Sequence, residues 1–589
     1  MAQFNAGLLY DDDLRAEANA AGHNYWPVYY KEILKRMGLP YVAVSGRELN
    51  AADLAQYKVL LLPPLPEGYL TSAQVEALSD WVTAGGLLVG FATPGLEELF
   101  GIVVEGVIGQ MGDEFTPSAC IRLCDEEFNA ALLTAYERDT ALPVPAPMQR
   151  ISAPGCRELA RLLSFFEQDL HQPAVTYRSV GEGAACYWAF DLAQCTWAMQ
   201  QGRPAWEDFD GDGKLRTLDM VTIRPWSGEV PYADLMMFAL RRIIAEHGGV
   251  FLHQLPPTSD GLIPDAVFHW GGDDEGATEV QIPAAEFMAN MGLPYHINIM
   301  AAPVGTHQLP KSRFDRLKEL GCETSIHFNF IEGFEHPYAF TKQDLAKQLA
   351  DYRAAYGETP VCTVFHWAYW TGWAEPARWL AELGLKGDNN RIHWRYPPSN
   401  PVNKVGFAFG SAYPIHYYDD HTQGNRRIEF TSQPITAYEC GYRRGIGVEL
   451  SQLYRAIELA NFWNLTMNLF FHPVYLTEEE PRAAVREAVA YMEKLGMTPV
   501  HFGSDELCLW WHARDASAVE AVERDGKRLS VRTRTGYPTG CIIQLLWAEG
   551  EPQAVEVNGQ AARYVIREQH NARWLYVASP MGEAEVSVR

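Results

Sequence analysis

The 589-residue sequence predicts a multidomain α/β protein with a β-rich ending, on three observations. The length exceeds what one ordinary core fills, so several domains are expected. The first stretch and the middle of the chain each alternate short apolar runs with amphipathic helical patterns, the rhythm of βαβ units and parallel sheets. The last stretch, from KRLSVRTRTG to AEVSVR, alternates apolar and polar residues between turns, as a small antiparallel β-sandwich does.

In the first stretch the succession runs NAGLLY, YWPVYYKEILKRMG, PYVAVS, YKVLLLPP, SAQVEALSDWVTAGG and LLVGFATP. YRSVGEGAACYWAFDLAQ adds two strands, and the amphipathic helix PYADLMMFALRRIIAEHGG closes a domain over residues 1–250. This pattern resembles the glutamine-amidotransferase-like domain of trehalose-utilisation proteins and of the trimerisation module of some β-galactosidases, which implies a flavodoxin-like parallel sheet. Catalytic members of that family carry a Cys on a sharp elbow after a strand, whereas here Leu87 to Phe91 runs into Ala92, Thr93, Pro94 and Gly95. Without a thiol the domain is expected to be non-catalytic and to pack against a neighbour, in the same chain or in a homo-oligomer.

Within that span, DFDGDGKLRTLD has the spacing of a calcium loop. Asp208, Asp210 and Asp212 stand at positions one, three and five, Gly213 at six, Lys214 at seven where a backbone carbonyl ligates, and Asp219 at twelve. Alternate carboxylates point inward around a hard cation and the glycine permits the tight turn. Bound calcium would be structural; an Asp/Gly-rich surface turn is the alternative reading.

Composition narrows the function classes. The formal net charge of −26 argues against nucleic acid, whose phosphates need a Lys/Arg surface. No apolar run reaches the length of a membrane span, and MAQFNAGLLYDDDLRAE has neither a basic leader nor a signal-type apolar core, so a cytoplasmic protein is expected. The ten Cys lack zinc-type spacing and read as reduced thiols. Seventeen Trp and 28 Tyr suit either stacking on sugars or large cores.

The middle segment, residues 262–515, carries four landmarks in succession. AVFHWGGDDEG is a buried strand ending in Asp273 and Asp274, and GCETSIHFNF places Gly321, Glu323 and His327 on a second strand. VCTVFHWAYWTGWAEPARWLAELGLKGDNN puts His366 at the end of a third strand, and LTMNLFFHPVYL ends a fourth in His472. Strand ends of this kind form the rim where α/β barrels build sites.

In type and order these landmarks resemble polysaccharide deacetylases of the NodB-homology class. The resemblance implies a distorted (β/α) barrel, with Asp273 as general base, Asp274 and His327 as metal ligands and His472 as general acid. The family's further His is replaced by Ile331, so the third ligand is sought at His336 or His366, the latter standing where the family has an Arg, or in water. Zinc is the expected ion, with other divalent metals next. Trp270, Glu275, Trp367, Trp373, Asp388, Arg395, Tyr396 and His416 are candidate groove residues, while Asp419, Asp420 and His421 read as a surface loop.

The expected activity is metal-dependent deacetylation of an N- or O-acetylated saccharide. Two rivals stay open: a glycoside hydrolase pairing Asp273 or Asp274 with Glu275 or Asp388, and a non-catalytic carbohydrate-binding protein on the same barrel. Residues 516–589 form the predicted β-sandwich.

Overall fold

Two units share the chain. One comprises Met1–Met199, Tyr232–Ile263 and Ala513–Arg589; the other comprises Gln200–Pro231 and Pro264–His512. The computed structural model describes residues 2–134, 137–209, 211–226, 228–301, 307–331, 334, 339–393, 403–526, 528–548 and 550–589. Asp210, His336, Arg395 and Tyr396 lie outside the described residues.

In the first unit the strands Ala6–Leu9, Tyr41–Val44, Val59–Leu62, Leu87–Phe91 and Gly183–Trp188 are parallel. The second in sequence lies at the edge, followed by the first, third, fourth and fifth, which is the flavodoxin-like order. The four inner strands are buried along their length, which is why they read as unbroken apolar runs. Helix Ser72–Thr83 starts at a capping box between Thr71 and Gln74. At the elbow after Leu87–Phe91, Ala92 holds φ 48°, and the Thr93 hydroxyl donates to the Leu62 carbonyl at 2.7 Å. The sharp bend is therefore present without a nucleophile. Beyond the fifth strand the sheet continues antiparallel through Asp169–Val180, Arg157–Leu163, Ala119–Leu123 and Leu142–Val144.

The C-terminal region of this unit forms two antiparallel sheets. Strand Arg528–Thr535 alternates buried and exposed residues, the period its sequence shows. Both sheets recruit strands from far upstream: Val250–Leu252 pairs with Cys541–Leu546, and Ala2–Gln3 pairs with Ala518–Asp525. All ten cysteines are free thiols.

The second unit is built on parallel strands labelled here β1 (Ala266–Asp273), β2 (His296–Met300), β3 (Glu323–Phe328), β4 (Cys362–Phe365), β5 (Gly387–Ile392), β6 (Arg427–Ile435) and β7 (Thr466–Phe470). Each pairs with the next from β1 to β6. After Thr436, Ala437–Tyr438 continues β6 and pairs with β7, which pairs with β1, so the pairings return to the first strand. β1 takes β2 only at Gly271–Asp273, and its first half pairs with Pro499–Phe502. A Cβ on Gly272 would stand 2.0 Å from the Phe471 carbonyl oxygen, so the HWGG approach to the acidic residues has a steric cause. In register, Gly271 faces His296 and Asp273 faces Asn298, while His296, Asn298 and Met300 face Glu323, Ser325 and His327. Alternate residues of neighbouring strands therefore stack in layers on one face.

Candidate active site

A cavity of about 300 Å³ opens where these strands end. Asp273, Glu275, Trp367, Tyr438, His472 and Tyr475 line it, and Ile392, Ile435 and Phe470 form its apolar wall. Backbone strain gathers here. Glu275 (φ 53°), Trp367 (φ 60°) and Ala368 (φ 53°) line the cavity and Glu439 (φ 47°) bonds His472, all in the left-handed region. Each costs about 1–2 kcal/mol, and such costs persist where surrounding structure holds a residue in place for function.

Asp273 ends β1 buried. Its Oδ1 accepts the Asn298 amide at 2.9 Å, and its Oδ2 lies 3.6 Å from His327 Nε2 and 4.0 Å from His472 Nε2. Burial pushes this carboxyl up to about 7. Glu275, on the loop after β1, lies between two imidazoles, 3.1 Å from His366 Nε2 and 3.2 Å from His472 Nε2. Burial acts to raise its pKa, but these hydrogen bonds outweigh it and hold Glu275 well below the usual carboxylate range.

Asp274 is placed differently. Its Oδ1 accepts the Met300 and Gly276 backbone N–H groups at 2.9 and 3.1 Å, and its Oδ2 accepts the Gln281 amide at 2.9 Å. Both oxygens thus brace the loop that enters helix Gln281–Asn290. Glu275, rather than Asp274, is the second carboxylate among the histidines.

His327 on β3 is fully buried, and neither ring nitrogen has a hydrogen-bond partner. Burial and the neighbouring His366 hold its pKa well below the ordinary histidine value. An imidazole costs free energy when left unmet in the interior, which makes His327 Nε2, beside Asp273, a candidate donor atom. The His366 ring stands edge-on to His327, with centroids 5.2 Å apart, and its Nδ1 lies 3.4 Å from Asn329 Oδ1. His472 is bonded through Nδ1 to Glu439 at 2.5 Å. Burial lowers its pKa, yet Glu275 and Glu439 together hold it well above the ordinary value. Oxygens of Asp273 and Glu275 and a nitrogen of His472 lie within 4.8 Å of one another, a donor set suited to a divalent cation.

Of the groove residues predicted from sequence, Trp367 is half-exposed at the rim, with Lys214 Nζ 4.8 Å from its ring. Trp270 belongs to the core, where its indole N–H meets His501 at 3.2 Å and its ring stacks on Phe471. Trp373 is also buried and donates to the Gly202 carbonyl at 2.8 Å. Asp388 lies on β5 and accepts the Ser432 and Tyr417 hydroxyls at 2.6 and 3.2 Å, and burial raises its pKa. His416 meets Arg427 at 2.7 Å in a separate group with Glu429 and His512. None of these four is among the residues lining the cavity.

The predicted calcium loop is closed by its own backbone. Asp208 accepts N–H bonds from Gly211, Asp212 and Gly213, and Asp219 accepts those of Phe209 and Arg216. Asp212 accepts the Lys214 N–H and is paired with the Arg216 guanidinium.

Sequence reasoning missed Glu439, Tyr438, Asn298 and Tyr475. The available signal for the first two was a strand, QPITAYE, ending in a carboxylate between its neighbours in the sheet order.

No protein-family model matches the chain, and no curated protein does. Among solved structures, a β-galactosidase from Rahnella sp. R3 is similar over 32% of this chain and 28% of its own, at 21% identity and TM-score 0.25. An α-L-fucosidase isoenzyme 2 from Paenibacillus thiaminolyticus is similar over 43% of this chain and 34% of its own, at 18% identity and TM-score 0.27. A protein designated a polysaccharide deacetylase from Mycobacterium smegmatis aligns over 45% of this chain and 96% of its own, at 16% identity and TM-score 0.28. The chain spans less than a third of the length of the β-galactosidase. Likeness of this degree assigns no activity, and the functional reading rests on the cavity's own side chains. Among the described residues, no helix is long and apolar enough to cross a membrane.

Proposed function

We propose that the chain is a metal-dependent hydrolase acting on carbohydrate, removing acetyl groups from an N- or O-acetylated saccharide. The observation that carries this reading is His327, buried with both nitrogens unmet beside Asp273 and His366. Glu275 and His366, 3.1 Å apart, and His327, 3.6 Å from Asp273, are the donors proposed for the ion, beside the cluster of Asp273, Glu275 and His472 whose donor atoms lie within 4.8 Å of one another. When bound, such an ion lowers the pKa of water toward neutrality and polarises an amide or ester carbonyl.

Asp273 is the base: a carboxyl raised to about 7 takes up the proton of attacking water near neutral pH. His472, kept protonated by Glu439 and Glu275, delivers a proton to the departing amine or alcohol, leaving acetate as the other product. Trp367 at the rim offers a face on which a sugar ring stacks. Calcium in the Asp208–Asp219 loop belongs to the proposal as a structural ion, ligated by Asp208, Asp212, Asp219 and the Lys214 carbonyl.

One observation favours a second reading, glycoside hydrolysis: Asp273 and Glu275 are pushed apart in pKa, as an acid and a base are. Elemental analysis followed by product analysis separates the two. Roughly one transition-metal ion per chain, lost in His327→Ala, with acetate released from acetylated oligosaccharides, is the expected result. Reducing sugar released by metal-free protein would instead establish the glycosidase. Sugar binding without turnover would leave a carbohydrate-binding protein.

A further inference from the structure

Below the cavity, a run of hydrogen bonds leads away from Asp273 through β2 and β3. Asn298 Nδ2 donates to Asp273 Oδ1 at 2.9 Å. Asn298 Oδ1 accepts from the Ser325 hydroxyl and lies 3.2 Å from His296 Nε2, which is itself 2.9 Å from Ser325 Oγ. The other ring nitrogen, Nδ1, faces two carboxylates, Glu323 at 3.1 Å and Asp505 at 3.5 Å. Those carboxylates are fixed in turn: Glu323 accepts the Asp505 and Glu506 backbone N–H groups, and Asp505 accepts that of Cys362.

The direction of donation follows from the two ends. The paired carboxylates favour a proton on His296 Nδ1, and although burial opposes protonation they hold the ring's pKa above its ordinary value, which favours a proton on Nε2 as well. His296 and Ser325 then both act as donors toward Asn298, which makes the atom facing them the amide oxygen. The amide NH₂ must face the other way, onto Asp273 Oδ1 and the Gly272 carbonyl. With Oδ1 committed to that amide, Oδ2 is the oxygen directed at His327 and His472.

We infer that His296 is a positioning residue: clamped by Glu323 and Asp505, it locks the Asn298 amide so that Asp273 presents Oδ2 to the cavity. The inference rests on Asp273 acting as the base in the proposed hydrolysis. It adds a positioning device one layer beneath the reacting groups, on the register that sets His296 beside Gly271 and Asn298 beside Asp273. The layer is close-packed at Gly271, where a Cβ would stand 3.3 Å from the His296 carbonyl oxygen.

Crystallography and kinetics on the full chain test the inference together. In His296→Leu the Asn298 amide is expected to turn and the Asp273 Oδ1 contact to be lost. The kcat for acetate release from an N-acetylglucosamine tetrasaccharide is expected to fall about tenfold to a hundredfold at unchanged KM. His296→Gln, whose amide N–H can still donate on the Asn298 side, is expected to recover part of that loss. Asp273 and Asn298 superposing on the wild type in the His296→Leu crystal would overturn the inference, as would an unaltered kcat. Should His296→Leu fail to fold, Ser325→Ala removes a donor to the same amide oxygen and is read by the same two measurements. A wild type that releases no acetate sinks the proposed hydrolysis, and the crystallographic comparison then decides the inference alone.

Discussion

Glu439 holds His472 by two bonds from one oxygen: Oε1 accepts the imidazole Nδ1–H at 2.5 Å and the His472 backbone N–H at 2.6 Å. The Tyr442 hydroxyl donates to the same carboxylate, which is itself buried. Nε2 is left facing Glu275 and Asp273. A buried carboxylate on Nδ1 both fixes the ring and favours its charged form, as a general acid requires.

Glu439→Gln is therefore expected to affect substrates according to their leaving group. An N-acetylated saccharide, whose amine must be protonated, should lose about a hundredfold in kcat. An aryl acetate with a nitrophenolate leaving group needs no acid and should lose less than about tenfold. Steady-state kinetics on both substrates checks this, and an equal loss on both would remove His472 from the acid role.

The placing of the adjacent acidic residues gives a second prediction. Glu275→Gln and His327→Ala should each abolish transition-metal binding in elemental analysis. Asp274→Asn should retain the ion, because the native carboxylate is occupied by Met300, Gly276 and Gln281. Its effect should be on stability, a loss of about 1–3 kcal/mol in chemical denaturation from a disturbed buried acceptor. Metal lost in Asp274→Asn and kept in Glu275→Gln would return Asp274 to the ligand role.

The contrast shows what was readable in the chain. Periodicity locates strands and their ends, so Asp273, Glu275, Trp367 and His472 were expected near one rim, and they line one cavity. It does not say which two of three consecutive acidic residues turn inward, because that depends on a left-handed Glu275 and on a backbone donor from β2. Glu439 was hidden for a related reason: its partner lies 33 residues on, joined only by β6 and β7 becoming neighbours. Tryptophan content could not separate a rim residue such as Trp367 from core residues such as Trp270 and Trp373, since burial and stacking draw on the same side chain. The C-terminal sheets likewise looked self-contained in sequence, yet they take edge strands from residues 2–3 and 250–252.

His247 in the first unit makes stability depend on pH. Its Nε2 stands 3.0 Å from the Tyr177 hydroxyl, and burial pulls its pKa down to about 4. Below roughly pH 6.5 the unfolded chain binds a proton that the folded chain does not bind until about pH 4. The contribution is thus complete above 6.5 and is lost as pH falls through that window. Urea denaturation at pH 7.5 and 4.5 should show a smaller pH-dependent loss in His247→Gln than in the wild type, by about 1–2 kcal/mol. Identical losses in the two proteins would contradict the assignment.

Arg216 decides how calcium would compete for the Asp208–Asp219 loop. Its guanidinium is buried and paired with Asp212, so a positive charge already serves one of the proposed ligands. Asp208 meanwhile gathers the N–H groups of Gly211, Asp212 and Gly213, which keeps the loop curled before any ion enters. A cation must displace the guanidinium from Asp212, and the wild type should bind weakly, on the order of 10⁻⁴ to 10⁻³ M. Arg216→Leu removes the competitor and should tighten binding by about tenfold or more in isothermal titration. Calcium should also raise Tm more in that variant than in the wild type. If calcium produces neither heat nor a change in Tm in either protein, the segment is a hydrogen-bonded turn whose charge is balanced from within by Arg216.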